Sequence, residues 1–337
     1  TFNKIVYRLA PVLMKDFKPL ARRHAILLAT QVTDVNGNWV QYTYNADGYP
    51  TKIEANDGRV INLTYDSSGQ LTQATANGRT WTYTFGSGGG LGSVTLPDGR
   101  SWTFDLGSSV LEAQNGHLCT TPDQTISLTH PNGMTGTFVL SETRHGRTYV
   151  PSYPLPDGGS CGVPAYQIPT SFDAMSIKSK TLSGTGYPSA TWNYTYSGDA
   201  GAFTNAGGLP DTKWTQVVDP IGYKSKHYFN RRWGDLEGLE TKVETYATAG
   251  ASTPLQTLDT TYTVETSLGI IELLNENLAK MVKPRHPSQV KITRGSDVYT
   301  TDLVYNTSQG TSGYSFGYPT SETRTSSVAS GSKTTVT

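Results

Sequence analysis

"NADGYPTKIEANDGRVINLTYDSSGQLTQATANGRTWTYTFGSGG" runs from Asn45 to Gly89 and contains its own pattern more than once. Asn-Gly or Asp-Gly pairs end at Gly37, Gly58, Gly78 and Gly99, in steps of 21, 20 and 21 residues. A fixed period this short marks a repeat architecture. Three residues after these glycines stand Val40, Ile61, Trp81 and Trp102, and five after them Tyr42, Leu63, Tyr83 and Phe104. Seven after them come Tyr44, Tyr65, Phe85 and Leu106. Apolar residues at every second position predict strands with one covered face.

A second glycine series, Gly48, Gly69 and Gly89, lies eleven residues beyond the first three, followed by Pro50, Leu71 and Leu91. The turns "NADG", "DSSG" and "GSGG" supply glycine for positive φ and short polar side chains for Asx-type bonds. Each unit therefore reads as one β-hairpin of about 21 residues. A lone hairpin is marginal in water, so the units are expected to join edge to edge. The predicted fold is all-β, a curved, twisted antiparallel sheet of repeated hairpins interrupted by a loop-rich insertion.

Working outward, residues 1–30 carry "LMKDFKPLARRHAILL" and read as a lead-in with one short helix, interrupted by Pro19. The clear repeats span 31–107. The period fails over 108–170, where Pro, Gly, Ser and His accumulate around a strand-like "MTGTFVL". Divergent hairpins resume over 171–337, and "SLGIIELLNENLAKMVKP" within them has helical spacing before Pro284. The first residue is Thr and the last segment is strand-like, so both ends read as cuts through a longer polypeptide.

The composition agrees with a turn-rich β protein. Of 337 residues, 20 are Tyr, 35 Gly and 18 Pro, and only 16% are charged. Formal net charge is zero and basic residues are scattered, which argues against nucleic acid, whose binding needs a basic patch. No apolar run approaches membrane-spanning length. Cys119 and Cys161 are the only cysteines and lack zinc-site spacing. They read either as separate thiols or as a disulfide closing a loop of about 42 residues, worth roughly 4 kcal/mol in the chain-entropy model. The even count in a turn-rich, exported-looking chain favours the disulfide and an oxidising compartment.

Chemistry-bearing constellations are sparse. The six histidines form no HExxH or other metal spacing. His145 in "TRHGRT", between Arg144 and Arg147, has the surroundings of an anion site or a base, but a surface or turn histidine is the expected role. His117 with Cys119 has no orienting third group. Asp34, Asp47, Asp57, Asp66 and Asp98 each sit near a turn glycine, which points to capping and not to a paired-carboxylate cleft. "GSGGGLG" lacks the Lys-Ser/Thr of a phosphate loop. The aromatic rows led by Trp81 and Trp102 suit cross-strand packing, or stacking on sugars if they face outward. No catalytic residue, cofactor or metal is expected.

"YTYNADGYPTKI" followed by "LTYDSSGQLTQA" resembles the YD repeat of RHS proteins, in which Tyr-Asp, two variable residues, Gly, one more residue and Leu recur about every 20 positions. Tyr65, Asp66, Gly69 and Leu71 match that core. In the preceding copy Tyr44 and Gly48 are kept, while Asn45 and Pro50 replace Asp and Leu. The resemblance implies a bacterial, secreted or cell-surface protein whose repeats wind into a hollow shell, many members enclosing a C-terminal toxin. On that basis the chain is a section of wall, non-enzymatic, whose partners are the remainder of a larger parent polypeptide and its cargo. The alternative is an adhesin or carbohydrate-binding module that meets a surface glycan with exposed aromatics. A β-propeller enzyme is disfavoured because the period breaks over long stretches.

Overall fold

The computed structural model describes residues 1–9, 13–15, 18–20, 23–86, 88–107, 122–151, 169–198, 200–204, 208–264, 285–305, 319–329 and 331–336. Cys119, Cys161, the helical-looking 267–284 and, within the 108–170 insertion, residues 108–121 and 152–168 lie outside these residues. The described secondary structure is β-strand throughout. The chain divides into two compact units, residues 1–108 with 127–135, and residues 109–126 with 136–337.

In the first unit the strands are β1 Phe2–Leu9, β2 Leu13–Lys15, β3 Lys18–Leu20, β4 Arg23–Ala29, β5 Gln31–Thr33, β6 Trp39–Tyr44, β7 Pro50–Ala55, β8 Val60–Tyr65, β9 Leu71–Ala76, β10 Arg79–Phe85, β11 Leu91–Thr95 and β12 Ser101–Asp105. From β5 onward each strand pairs antiparallel with the next. The lead-in is not helical. β1 pairs with β4 and β2 with β3, so residues expected to include a helix form two nested strand pairs. The physical reason is visible in "FNKIVYRL" and "RHAILLA", whose β-branched residues suit a pleated surface once a partner strand is present.

Because consecutive strands are antiparallel, the two glycine series occupy opposite ends of the ladder. Gly37, Gly58, Gly78 and Gly99 turn the chain at one end, and Gly48, Gly69 and Gly89 at the other. Asn77 and Gly78 have φ of 51° and 71° between the paired Ala76 and Arg79, the two-residue loop that an Asn-Gly dipeptide favours. Gly48 and Gly69 have φ of 84° and 80°, and a Cβ at Gly69 would lie 2.9 Å from the Tyr49 ring. These positions exclude larger residues by conformation and by space.

The apolar face of this unit is built by cross-strand pairs. Tyr42 stands opposite Ile53, Leu63 and Trp81 opposite Ala74, and Tyr83 and Trp102 opposite Val94. Small and large residues alternate across the strands, and the rings are half-buried among them. Trp102 also meets the His130 ring edge-on at 4.4 Å. Each such pair contributes about 0.2–1 kcal/mol.

β13, Gln124–Thr129, falls at the division between the units, and its Ser127–Thr129 pair with Asp105–Thr103 of β12. The second unit holds β14 Thr135–Gly146, β15 Ser171–Gly184, β16 Tyr187–Tyr196, β17 Thr212–Val218, β18 Lys224–Asn230, β19 Glu240–Tyr246, β20 Gln256–Val264, β21 Arg285–Arg294, β22 Asp297–Tyr305, β23 Pro319–Ser326 and β24 Ser332–Val336. From β15 to β24 each strand again pairs antiparallel with its successor. Among the described residues, full burial is confined mainly to one place where irregular segments cross. Val150, Ala202, Thr148, Asp173 and Arg231 lie there, at 0%, 6%, 2%, 1% and 5% exposure.

Candidate functional site: tyrosine seams and an ion-pair hub

The YD turns close by one scheme. Asp66 N–H donates to the Gln70 carbonyl at 2.9 Å and Gly69 N–H to the Asp66 carbonyl at 3.1 Å. The Asp66 carboxylate accepts the N–H groups of Ser68 and Gln70 at 2.8 and 2.9 Å. Asn45 and Asp34 hold their turns through the same bonds, and Asp219 repeats them in the second unit. His130 substitutes its Nδ1, which accepts the Asn132 N–H at 3.1 Å. Asp57 and Asp98 sit one residue before glycine and instead hold Arg59 and Arg100. At Asp34 the Asn38 amide, at Asp57 the Arg59 N–H and at Asp98 the Arg100 side chain hold the carboxyl below its ordinary range.

The tyrosine before two of these turns, Tyr44 before Asn45 and Tyr65 before Asp66, has a different task. The β7–β8 ladder ends at Lys52↔Asn62, leaving the strand ends beyond it unpaired with each other. Across that gap the Tyr65 hydroxyl donates to the Pro50 carbonyl at 2.9 Å. Tyr65 is three residues beyond the last pair on its strand and Pro50 two before it on the other. The offset recurs: Tyr44 reaches Ala29 beyond Gln31↔Gln41 at 2.7 Å, and Tyr196 reaches Ile177 beyond Ser179↔Asn193 at 2.8 Å. Tyr262 reaches Glu240 beyond Lys242↔Asp259, also at 2.8 Å. Each clasp closes a seam between successive hairpins where the backbone ladder gives out. At the matching place in β22, the Tyr305 ring stacks on His286 at 4.8 Å.

At the β9–β10 seam the last pair is Thr82↔Gln73, which puts Phe85 in the tyrosine position and Leu71 in the carbonyl position. Phe85→Tyr is therefore expected to add a clasp and stabilise the chain, while Tyr65→Phe removes one, each by about 1 kcal/mol. Chemical denaturation of both variants checks this, and no stability change at Tyr65→Phe would show the seam bond to be idle. Burial pushes the Tyr44, Tyr65, Tyr196 and Tyr262 hydroxyls above the usual tyrosine pKa. Since the folded state favours the neutral phenols, their contribution is full below about pH 10 and is lost as pH rises through the raised values. Alkaline unfolding is expected to begin there and to move with the number of clasps.

The hub of the second unit assembles residues far apart in sequence. Thr148 and Val150 form parallel bridges to Arg232 and Phe203. Asp173 on β15 receives the Arg144 guanidinium from β14 through two bonds at 2.9 and 3.3 Å. Arg147 pairs with Glu237 at 2.6 Å and lies 4.8 Å from the Phe172 ring. The Arg231 side chain donates to the carbonyls of Pro210 and Ala200 at 2.7 and 2.9 Å. The Thr148 hydroxyl donates to Asp211 at 3.1 Å. Asp173, Arg147, Glu237 and Arg231 are each held here by a partner that offsets part of the cost of burying charge.

His145 is not a surface or turn histidine as its sequence surroundings suggested. It lies in β14, half-buried against Phe172 and Tyr196, with Nε2 3.1 Å from the Ser176 hydroxyl. Burial, with Lys213 nearby, pulls its pKa down to about 4, so the ring is neutral at physiological pH. Asp173, the carboxylate that would orient such an imidazole in a triad, is held by Arg144. Among the described residues no group of three or more His, Cys, Asp or Glu is placed to hold a metal. No helix of the described residues is long and apolar enough to cross a membrane. Tyr44, Tyr65, Asp66, Gly48 and Gly69 come together at the turn end of the first unit. Leu71 begins the strand after that turn, and Trp81 and Trp102 lie on the apolar face.

Residues 65–101 match the family profile described as RHS Repeat. The chain carries an RHS repeat. The matched segment starts at the clasping Tyr65 and takes in the Asp66 turn, the Asn77-Gly78 turn and both Trp81 and the Asp98-Gly99 turn. No curated protein matches the chain in sequence. Among solved structures, similarity is found to the crystal structure of TcdB2-TccC3-TEV, at 11% identity and TM-score 0.27, covering 96% of this chain and 16% of that one. The crystal structure of TcdB2-TccC3 is similar at 12% identity and TM-score 0.21, covering 86% of this chain and 16% of that one. This chain thus spans under a fifth of the length of either. The sequence pattern led to the RHS repeat through its turns, whereas the hub carried no sequence signal beyond the charged residues flanking His145.

Proposed function

We propose that this chain is a structural section of a large secreted or cell-surface RHS-type protein, a wall that encloses or presents cargo such as a toxin domain. The observation that carries the reading is the constant seam. The same tyrosine, three residues past the last ladder pair, joins successive hairpins in both units, and any further hairpin with that tyrosine extends the sheet by the same bond. A device of that kind builds area. The role is mechanical: a hydrogen-bonded sheet excludes proteases from what it covers, with no turnover, cofactor or metal. An adhesin reading needs aromatics presented outward, whereas Trp81, Tyr83 and Trp102 are half-buried opposite Ala74 and Val94.

The test is limited proteolysis of the parent polypeptide that contains this chain. Cargo segments are expected to survive protease concentrations that digest them when expressed alone, and to become cleavable once the tyrosine clasps are removed together. Equal digestion rates with and without the wall would overturn enclosure, and binding of the isolated chain to a surface glycan, lost on Trp81→Ala, would move the reading to the adhesin.

A further inference from the structure

Beside the hub, a cavity of about 260 Å3 opens between Arg144, His145, Tyr196, Ser197, Lys213 and Phe229. Lys213 stands opposite Phe229 in the β17–β18 register, and its ammonium lies 5.7 Å from the Phe172 ring. It makes no ion pair or hydrogen bond with another described residue. The carboxylates of the hub are already engaged, Asp173 by Arg144, Glu237 by Arg147, and Asp211 by Thr148 and by Arg232 at 3.6 Å. Lys213 is thus a surplus cation, and burial together with Arg147 and Arg231 disfavours its charge while Glu237 only partly offsets this. A half-buried ammonium facing a cavity without a counterion gains most from an anion that enters it. A second donor is available, because the Ser197 oxygen accepts the Trp214 N–H at 2.8 Å and keeps its own proton to give.

We propose that this cavity is a binding site for a small monocarboxylate with an apolar stem, its carboxylate on the Lys213 ammonium and the Ser197 hydroxyl and its stem against Phe229 and Tyr196. Enclosure by aromatic rings around few polar groups is the usual make-up of a small-ligand site, and the volume is sufficient for a single ring. The site is independent of the wall role.

Benzoate is the probe, titrated into the full chain by calorimetry and by NMR of 13C-labelled lysine. Binding is expected with a shift of the Lys213 side-chain resonance, and benzamide, equal in shape but neutral, is expected not to bind. Lys213→Met should weaken benzoate by about tenfold or more and Lys213→Arg should retain it. Because Lys213→Met removes a cation with no ion pair among the described residues, its unfolding transition should be unchanged or higher, which separates lost binding from lost folding. No benzoate binding to the wild-type chain, equal binding to Lys213→Met, or a wild-type resonance unmoved by benzoate would overturn the proposal. Inorganic phosphate binding as tightly as benzoate would overturn the apolar-stem selectivity.

Discussion

Arg144→Met is expected to lower stability by about 3 kcal/mol, the lower end of the cost of breaking a buried ion pair. The Asp173 side chain is only 1% exposed, so removing the guanidinium leaves a carboxylate in the hub without its cation. The Arg144 side chain keeps 39% exposure, which limits both the Coulombic gain in the native pair and the loss when it is broken. The two single variants should differ for that reason. After Asp173→Leu the guanidinium can turn toward water, whereas after Arg144→Met the buried carboxylate cannot. The double variant Arg144→Met/Asp173→Leu, with both charges replaced by apolar groups, should recover most of the loss. Denaturant titration of the three variants measures this, and strictly additive losses would show that the pair contributes nothing as a pair.

Gly201→Ala is expected to cost about as much, roughly 3 kcal/mol, at the upper end of overpacking penalties. A Cβ at this position would lie 1.9 Å from the Thr170 carbonyl oxygen and 2.6 Å from its carbon, both backbone atoms that cannot rotate aside. The strand end carrying that carbonyl is itself fixed, because the same oxygen accepts the Arg147 N–H at 2.7 Å. Relief requires moving the backbone on one side. That movement breaks the bonds from Ala202 N–H to Arg147 and from Thr204 N–H to Val150, at 2.8 and 3.0 Å. Gly250→Ala, where a Cβ would meet nothing within 4 Å, is the control and should be silent. A Gly201→Ala chain that melts with wild-type would show that the residue 200–204 segment is not packed on Thr170.

The repeat was legible in the sequence because its determinants are local. Turn type is decided within five residues by a glycine at positive φ and an Asn or Asp able to cap its own loop, as Asp66 does for Ser68 and Gln70. Strand faces are decided by a period of two, so Tyr42, Leu63 and Tyr83 were assignable to one face from spacing alone. The lead-in misread as partly helical shows where that locality ends. Its strands depend on pairing Phe2–Leu9 with Arg23–Ala29, a choice made by the partner and not by the segment.

Tertiary structure alone decided the rest. Which carbonyl each tyrosine clasps depends on where the ladder between two hairpins stops, and that is a property of register and twist, not of the Tyr-Asp pair. His145 became a half-buried neutral imidazole because β15 and β16 bring Phe172 and Tyr196 against it. The hub joins Arg147 to Glu237 and Arg144 to Asp173 across 90 and 29 residues of chain. Charges acquire partners, and Lys213 is left without an ion-pair partner among the described residues, only when segments that share no local pattern are folded onto the same few ångströms.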